Sequence, residues 1–316
     1  MAEQNIVNIV IYHKPCPDGE MSAAIFRDKY KRSRFIPWTH GDNNKINTVI
    51  NEIKKISKNR HVFFLDVCPD FSFVKDLINN ILKSNDKISI LDHHMAACNK
   101  FKKDIEESDE SYENLEIIFD NKRSGCQLTW DYLHPGEGYP RPVYYIGNKD
   151  LYKWDDPKTE PFTNGYPDRF HIKLDANYIL RIKIYEKILK LSEEEIELII
   201  SKGVEITNSM VEEAIEIISG ITFSKDTDID GKKLNVIDLE MEDKYYLTKY
   251  IKLELEKRYP VYDVLRITYL RENRKDFSLR SLKDDVRVDL LAQKYGGNGH
   301  MKASGYSLSL VEEEEN

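Results

Sequence analysis

From residue 5 to residue 154, short β-branched apolar runs alternate with amphipathic helical stretches. VNIVIY reads as a strand and leads into a helical stretch from Gly19 through RDKYKRSR. RFIPW, the helical INTVINEIKKI, the strand HVFFLD, the helix FVKDLINNIL and the strand KISIL follow in turn. Strands that are apolar throughout are covered on both faces, so this alternation predicts a parallel sheet with helices on either side. Residues 155–170 are rich in Pro, Gly and Asp and read as a loop. Helical periodicity with dense charge over 178–218 predicts long connecting helices. Strands return in LNVID and VYDVLRITYL, with a helix over 243–258 between them. RENRKD then reads as a hairpin turn before FSLRS, and GYSLSL as the final strand. The expected fold class is α/β, with a mainly parallel N-terminal domain over 1–155. A loop and helical connector over 156–220 and a smaller mixed α/β domain over 221–316 complete it.

Composition narrows the function classes. The 316 residues are 41% hydrophobic, 32% charged and 11% aromatic, which suits packed domains rather than disorder. Lys plus Arg number 47 against 55 Asp plus Glu, a net charge of −8, and the glutamates at 312–315 carry half of that excess. An acidic chain is a poor footprint for sequence-blind binding of long duplex, which requires many neutralised phosphates. A small nucleotide or a strand end needs only a few cations or metal ions. No apolar run approaches the roughly 18 residues of a membrane span. The start MAEQ is polar and acidic, unlike a signal peptide. Cys16, Cys68, Cys98 and Cys126 fall in separate segments with no paired framework, which suits a reducing compartment. A cytoplasmic protein without membrane partners is expected.

In open α/β sheets ligands bind beyond the C-terminal ends of strands, so the residues that follow each strand carry the chemistry. VNIVIY is followed by His13, Cys16, Asp18 and Gly19, and HVFFL by Asp66. KISIL is followed by Asp92, His93 and His94, and the apolar VYYIG stretch by Asp150. Carboxylates gathered on one edge raise one another's pKa unless a cation neutralises them, and a mixed His/Asp set suits Mn, Zn or Fe. Each residue also has an ordinary structural reading: His13 entering a turn, Asp66 as a turn residue, Asp92 as a helix N-cap. Asp150 has one too, paired with Lys149 or Lys153. Turn chemistry does not, however, account for a carboxylate or imidazole after every strand. Ser124 and Gly125 open SGCQLTW, whose free helix N–H groups either face the site or form a plain N-cap. Near the C-terminus Gly296, Gly297 and Gly299 surround Asn298 and precede His300. Such a loop lets several N–H groups point at an anion, and Arg280 adds a bidentate phosphate donor. RDKYKRSR and IKKISKNR are basic and read as solvated helix faces.

YHKPCPDGEMSA, FFLDVCPD, LDHH, SGCQLTW and IGNKDLYKW, in this order, resemble the successive motifs of the DHH phosphoesterase superfamily. FSLRS followed by GGNGHMKASG resembles the DHH-associated C-terminal domain of nanoRNase-type oligoribonucleases and RecJ-type exonucleases. The resemblance spans the chain except for its helical middle and acidic tail. It implies a centre of two divalent metals, manganese first, with Asp66 bridging. His13 would sit on one metal, and Asp18, His93 and Asp150 on the other. His94 would face the substrate phosphate while Asp92 orients the imidazoles. In one place the pattern departs: an aspartate usual two positions before the one matching Asp18 is here Cys16. A thiolate ligand there favours Zn or Fe over Mn; as a neutral filler it leaves a weak first site.

The resemblance implies metal-dependent hydrolysis of phosphoesters in short oligonucleotides or small nucleotides such as 3′-phosphoadenosine 5′-phosphate. Ser124, Arg280, His300 and the glycine loop would bind substrate. A single-strand-specific exonuclease is the alternative within the same chemistry, and a non-catalytic scaffold with decayed ligands is the alternative from another class.

Overall fold

The computed structural model describes residues 6–39, 45–56, 59–108, 110–173 and 177–310. The glutamate run at 312–315 lies outside them. The chain divides into two units, 1–204 and 205–316.

In unit 1 strands and helices alternate as β1 (Val7–His13), α1 (Pro17–Lys29), β2 (Arg34–Trp38), α2 (Ile46–Lys54), β3 (Arg60–Leu65) and α3 (Phe71–Asp76). β4 (Lys87–Asp92), α4 (Met95–Glu107), β5 (Leu115–Phe119) and α5 (Gly125–Leu133) continue the pattern. The sheet order is β2-β1-β3-β4-β5 and every neighbouring pair is parallel. Because side chains alternate along a strand, the fully buried run Ile9–Tyr12 feeds two cores. Val10 and Tyr12 join Phe63, Leu65 and Phe26 of α1 on one face. Ile9 and Ile11 join Val62, Phe64, Ile53 of α2 and Phe101 of α4 on the other. Each such side chain contributes about 1.5–3 kcal/mol on burial, which explains why the strands are apolar at consecutive positions. The parallel arrangement brings the C-terminal ends of β1, β3 and β4 to one edge.

The next two elements differ from the sequence reading. VYYIG lies in a helix, α6 (Arg141–Asp150), so Asp150 is the last residue of a helix rather than the sequel to a strand. A short apolar run does not distinguish a buried strand from a buried helix turn, and here Val143, Ile146 and Gly147 bury at helical spacing. The stretch expected as a loop contains α7 (Thr159–Arg169). Pro161 sits in its first turn, where the missing N–H costs nothing, and Phe162 and Tyr166, four apart, are 0% and 2% exposed. α8 (Tyr178–Leu189) and α9 (Glu193–Ile217) are the long helices anticipated.

Unit 2 contains β6 (Thr222–Thr227), β7 (Lys233–Glu240), α10 (Thr248–Arg258), β8 (Val264–Leu270), β9 (Arg274–Ser281), α11 (Val288–Lys294), β10 (Asn298–His300) and β11 (Ala303–Ser309). Its sheet runs β10-β11-β9-β8-β7-β6. Only β7 and β8 pair in parallel, and α10 is the crossover that a parallel pair requires. β8 and β9 form the hairpin expected at RENRKD. Ile237, Leu239, Leu265 and Ile267 pack with Ile251 and Leu255 of α10 on one face, and Val236, Val264 and Leu279 with Leu291 of α11 on the other. The architecture is therefore α/β, a parallel five-stranded sheet followed by a mixed six-stranded one. No helix among the described residues is long and apolar enough to cross a membrane.

Candidate metal centre

The strand-end residues meet. His13 ends β1, Asp66 follows β3, and Asp92 ends β4 with His93 and His94 next. Ligand atoms of His13, Cys16 and Asp66 lie within 4.8 Å of one another, as do those of Asp18, His93 and Asp150. Asp66 joins the two groups through different oxygens. Its Oδ2 is 3.3 Å from His13 Nδ1, while its Oδ1 is 3.2 Å from His93 Nε2. His93 Nε2 also stands 3.2 Å from Asp150 Oδ2 and 3.8 Å from Asp18 Oδ2. One carboxylate thus faces two sets of donors, each oxygen turned to one set.

Local structure explains these positions. Asp66 has a φ of 58°, a left-handed conformation that Asp tolerates better than most residues. A Cβ on Gly125 would lie 2.4 Å from the Asp66 Cβ, so only glycine lets α5 begin this close to Asp66. Cys16 caps α1, placing Asp18 in its first turn with no solvent exposure. The Asp18 carboxylate accepts from Ser124 Oγ (2.7 Å) and Cys126 N (3.0 Å) through Oδ1, and from Gly125 N (2.5 Å) through Oδ2. Ser124 is also the N-cap of α5, in a capping box with Gln127. The free N–H groups of α5 are therefore directed at a protein carboxylate. Asp92 Oδ1 accepts from the His93 backbone N–H and meets His94 Nδ1, both at 2.8 Å. His94, not Asp92, occupies the N-cap position of α4.

The electrostatics suit a bound cation. Asp18, Asp66 and Asp92 are completely buried. Burial, then the charges of Asp66 and Asp150, push the Asp18 carboxyl well above its ordinary range. Burial would also raise Asp66, but His13 and His93 hold it below the usual carboxylate range. Burial opposes charge on His93, yet the Asp150 and Asp66 carboxylates beside it push it up to about 11. The Cys16 thiol is driven upward by burial and then by Asp66 and Asp18. Asp66 Oδ1 and His93 Nε2 are buried and, although close, are not aligned for a hydrogen bond with each other or anything else. Orphaned buried polar atoms are costly, and a divalent cation accepted by both removes that cost. The donor set of imidazole, carboxylate and thiol fits a borderline transition metal.

Sequence reasoning missed several supports. The Cys98 thiol donates to Asp92 Oδ2 at 3.6 Å, and Cys68, Asp92 and Cys98 form another, wholly buried group of ligand atoms. In the sequence these cysteines stand in separate segments with no paired framework. The buried pair Glu20–Arg181 ties α1 to α8. No local pattern signals contacts 161 residues apart.

The predicted anion-binding residues lie in unit 2. Gly296 (φ 74°) and Gly299 (φ 145°) adopt backbone conformations that favour glycine, while Gly297 does not. His300 of β10 and Arg280 of β9 both register opposite Ala303 of β11. They therefore share one face, two strand spacings or about 10 Å apart, with a methyl group between them.

No protein-family model matches this chain. The uncharacterized protein R106 of Acanthamoeba polyphaga mimivirus is 25% identical over 327 residues, covering 96% of this chain and 68% of that protein. Among solved structures, a pGpG-specific phosphodiesterase of Vibrio cholerae is similar, with a TM-score of 0.52 at 14% identity. That match covers 97% of this chain and 94% of the other. An exopolyphosphatase-related protein of Bacteroides fragilis matches at 15% identity and a TM-score of 0.42, over 95% of this chain and 86% of that one. The likeness to the pGpG-specific phosphodiesterase shows a shared fold, and the strand-end residues of the motifs that resemble those of the DHH phosphoesterase superfamily meet at one edge of the parallel sheet.

Proposed function

We propose that this chain is a metal-dependent phosphoesterase that hydrolyses short oligonucleotides or small nucleotide phosphates. The observation that carries the reading is Asp66, whose two oxygens face separate donor sets. His13, Cys16 and Asp66 would hold one ion, and Asp66, Asp18, His93 and Asp150 the other, with manganese the first candidate and Zn or Fe the alternative at the site that includes Cys16. When bound, two divalent ions neutralise charge on phosphoryl oxygens and acidify water. The remaining work falls to the protein. Ser124, Gly125 and Cys126 fix Asp18 so that it presents one carboxylate edge. Asp92 orients His94; although burial works against its charge, Asp92 beside it raises the His94 pKa, favouring a form that donates to a phosphoryl oxygen. In this reading Arg280, His300 and the loop of Gly296, Gly297 and Gly299 bind a phosphate other than the one cleaved. Ser124 serves the site by holding Asp18.

The likeness to a pGpG-specific phosphodiesterase supports linear dinucleotides as the first substrates to try. A panel of linear dinucleotides, cyclic dinucleotides, 3′-phosphoadenosine 5′-phosphate and end-labelled single strands tests the assignment. The expected outcome is manganese-dependent release of mononucleotide or phosphate from the short members, abolished by chelation. No turnover of any member by folded, metal-replete protein would leave the scaffold reading in its place.

Cys16 decides metal preference. A thiolate at this position draws the first site toward Zn or Fe. Cys16→Asp should shift the preferred activator toward Mn, and Cys16→Ser should weaken Zn activation without that gain. Activity titrated against each metal checks this. Identical profiles for all three proteins would place Cys16 outside the centre.

A further inference from the structure

Unit 1 carries a basic groove that the proposed hydrolysis does not use. Two adjoining concavities of about 700 Å³ each share Arg27 and Lys183. One follows the edge strand β2 and includes Arg34 and Lys45; the other includes Lys31, Arg169, Lys187 and Lys190. Eight cations thus face Glu52, Glu186 and Glu195, on a chain whose net charge is −8. Those acids are already engaged, Glu52 by Arg34 and Lys55, Glu186 by Arg27, and Glu195 by Arg169. Among the described residues Lys31, Lys183 and Lys187 have no ion-pair partner.

The cations form a row. Lys183, Lys187 and Lys190 are exposed at i, i+4 and i+7 of α8 and its cap, while Ile182, Tyr185 and Ile188 bury the opposite face. That row covers about 10 Å of helix axis. Half-buried rings stand in both concavities, Tyr178 in the first and Phe170 in the second. α1 starts beside Asp18 and runs 13 residues, about 20 Å, before Lys31, so the Lys31 end of the groove is remote from the metal centre, while its other end reaches Pro37, which registers opposite Tyr12, the neighbour of His13. A solvated lysine face needs neither a concavity nor aromatic rings. Lys190 is paired with Asp28, whereas Lys183 and Lys187 in the row and Lys31 in the same concavity have no ion-pair partner among the described residues. Cations spaced along a groove fit a chain of phosphates better than one compact anion, and the rings add stacking surface for bases. We propose that this groove binds the backbone of a single-stranded nucleic acid.

The test is direct binding of a labelled 12-nucleotide oligouridylate in chelator, so that no hydrolysis is needed. The triple variant Lys31→Ala/Lys183→Ala/Lys187→Ala is compared with a control of equal charge change, Lys87→Ala/Lys103→Ala/Lys233→Ala. Wild type and control should bind alike. The groove variant should bind at least about tenfold more weakly, with a log Kd against log salt slope shallower by about 2, from three lost contacts at about 0.7 each. Its metal-dependent turnover of a dinucleotide should be unchanged, which separates this site from the proposed active centre. Inorganic polyphosphate of matched length should compete less well than unlabelled oligouridylate. Absence of wild-type binding at low salt, equal loss in both variants, or equal competition by polyphosphate overturns the proposal.

Discussion

Asp66→Asn is expected to reduce metal-dependent hydrolysis by more than the 10- to 100-fold typical of changes around a metal's outer shell. The substitution keeps shape and removes charge. Asn tolerates the left-handed backbone found at this position almost as well as Asp, so the fold should survive, as circular dichroism and melting temperature would show. What is lost is a carboxylate whose two oxygens lie 3.3 Å from His13 and 3.2 Å from His93. A neutral amide presents one oxygen and one NH2 group, and cannot join two cations. Near-normal turnover by folded, metal-replete Asp66→Asn protein would refute the bridging role.

Arg280→Ala and His300→Ala are expected to lower turnover of dinucleotides about ten- to a hundred-fold each, the equivalent of roughly 1.5–3 kcal/mol for a charge-assisted bond to phosphate. Both should barely affect bis-p-nitrophenyl phosphate, which has no second phosphate to grip, and neither should alter metal content. The shared register opposite Ala303 makes the two positions one surface of β9–β11, so the double variant should lose less than the sum of the singles. Equal losses on the minimal and the nucleotide substrate would assign these residues to the reacting centre instead.

What the sequence made legible follows from the range of the interactions involved. Asp66 follows β3, and Asp92 and His93 stand at and just after the end of β4, both strands buried along most of their length; a parallel sheet brings such strand ends together. Asp150 arrives at the same place from a helix, because Val143 and Ile146 pack equally well at helical spacing. α7 was hidden by Pro161, Gly165 and Pro167, whose composition outweighs the single Phe162–Tyr166 repeat. The clamp of Ser124, Gly125 and Cys126 on Asp18 joins residues over 100 positions apart, as does the Glu20–Arg181 pair, and no local pattern encodes either. RDKYKRSR reads locally as a solvated face; only the tertiary fold sets Arg27, Lys31 and Arg34 beside the lysines of α8.

The central claim is that one buried carboxylate joins two divalent ions, and metal stoichiometry tests it most directly. Chelator-stripped wild type and Asp66→Asn would be titrated calorimetrically with manganese across a range of pH. Wild type should bind two ions per chain and release protons as it does so. Affinity should increase with pH, because His93, pushed up to about 11 by Asp150 and Asp66, must give up its proton to become a ligand. Asp66→Asn should bind fewer than two. Folded wild type that binds no ion or only one, or a folded Asp66→Asn variant that retains two at unchanged affinity, would contradict the account.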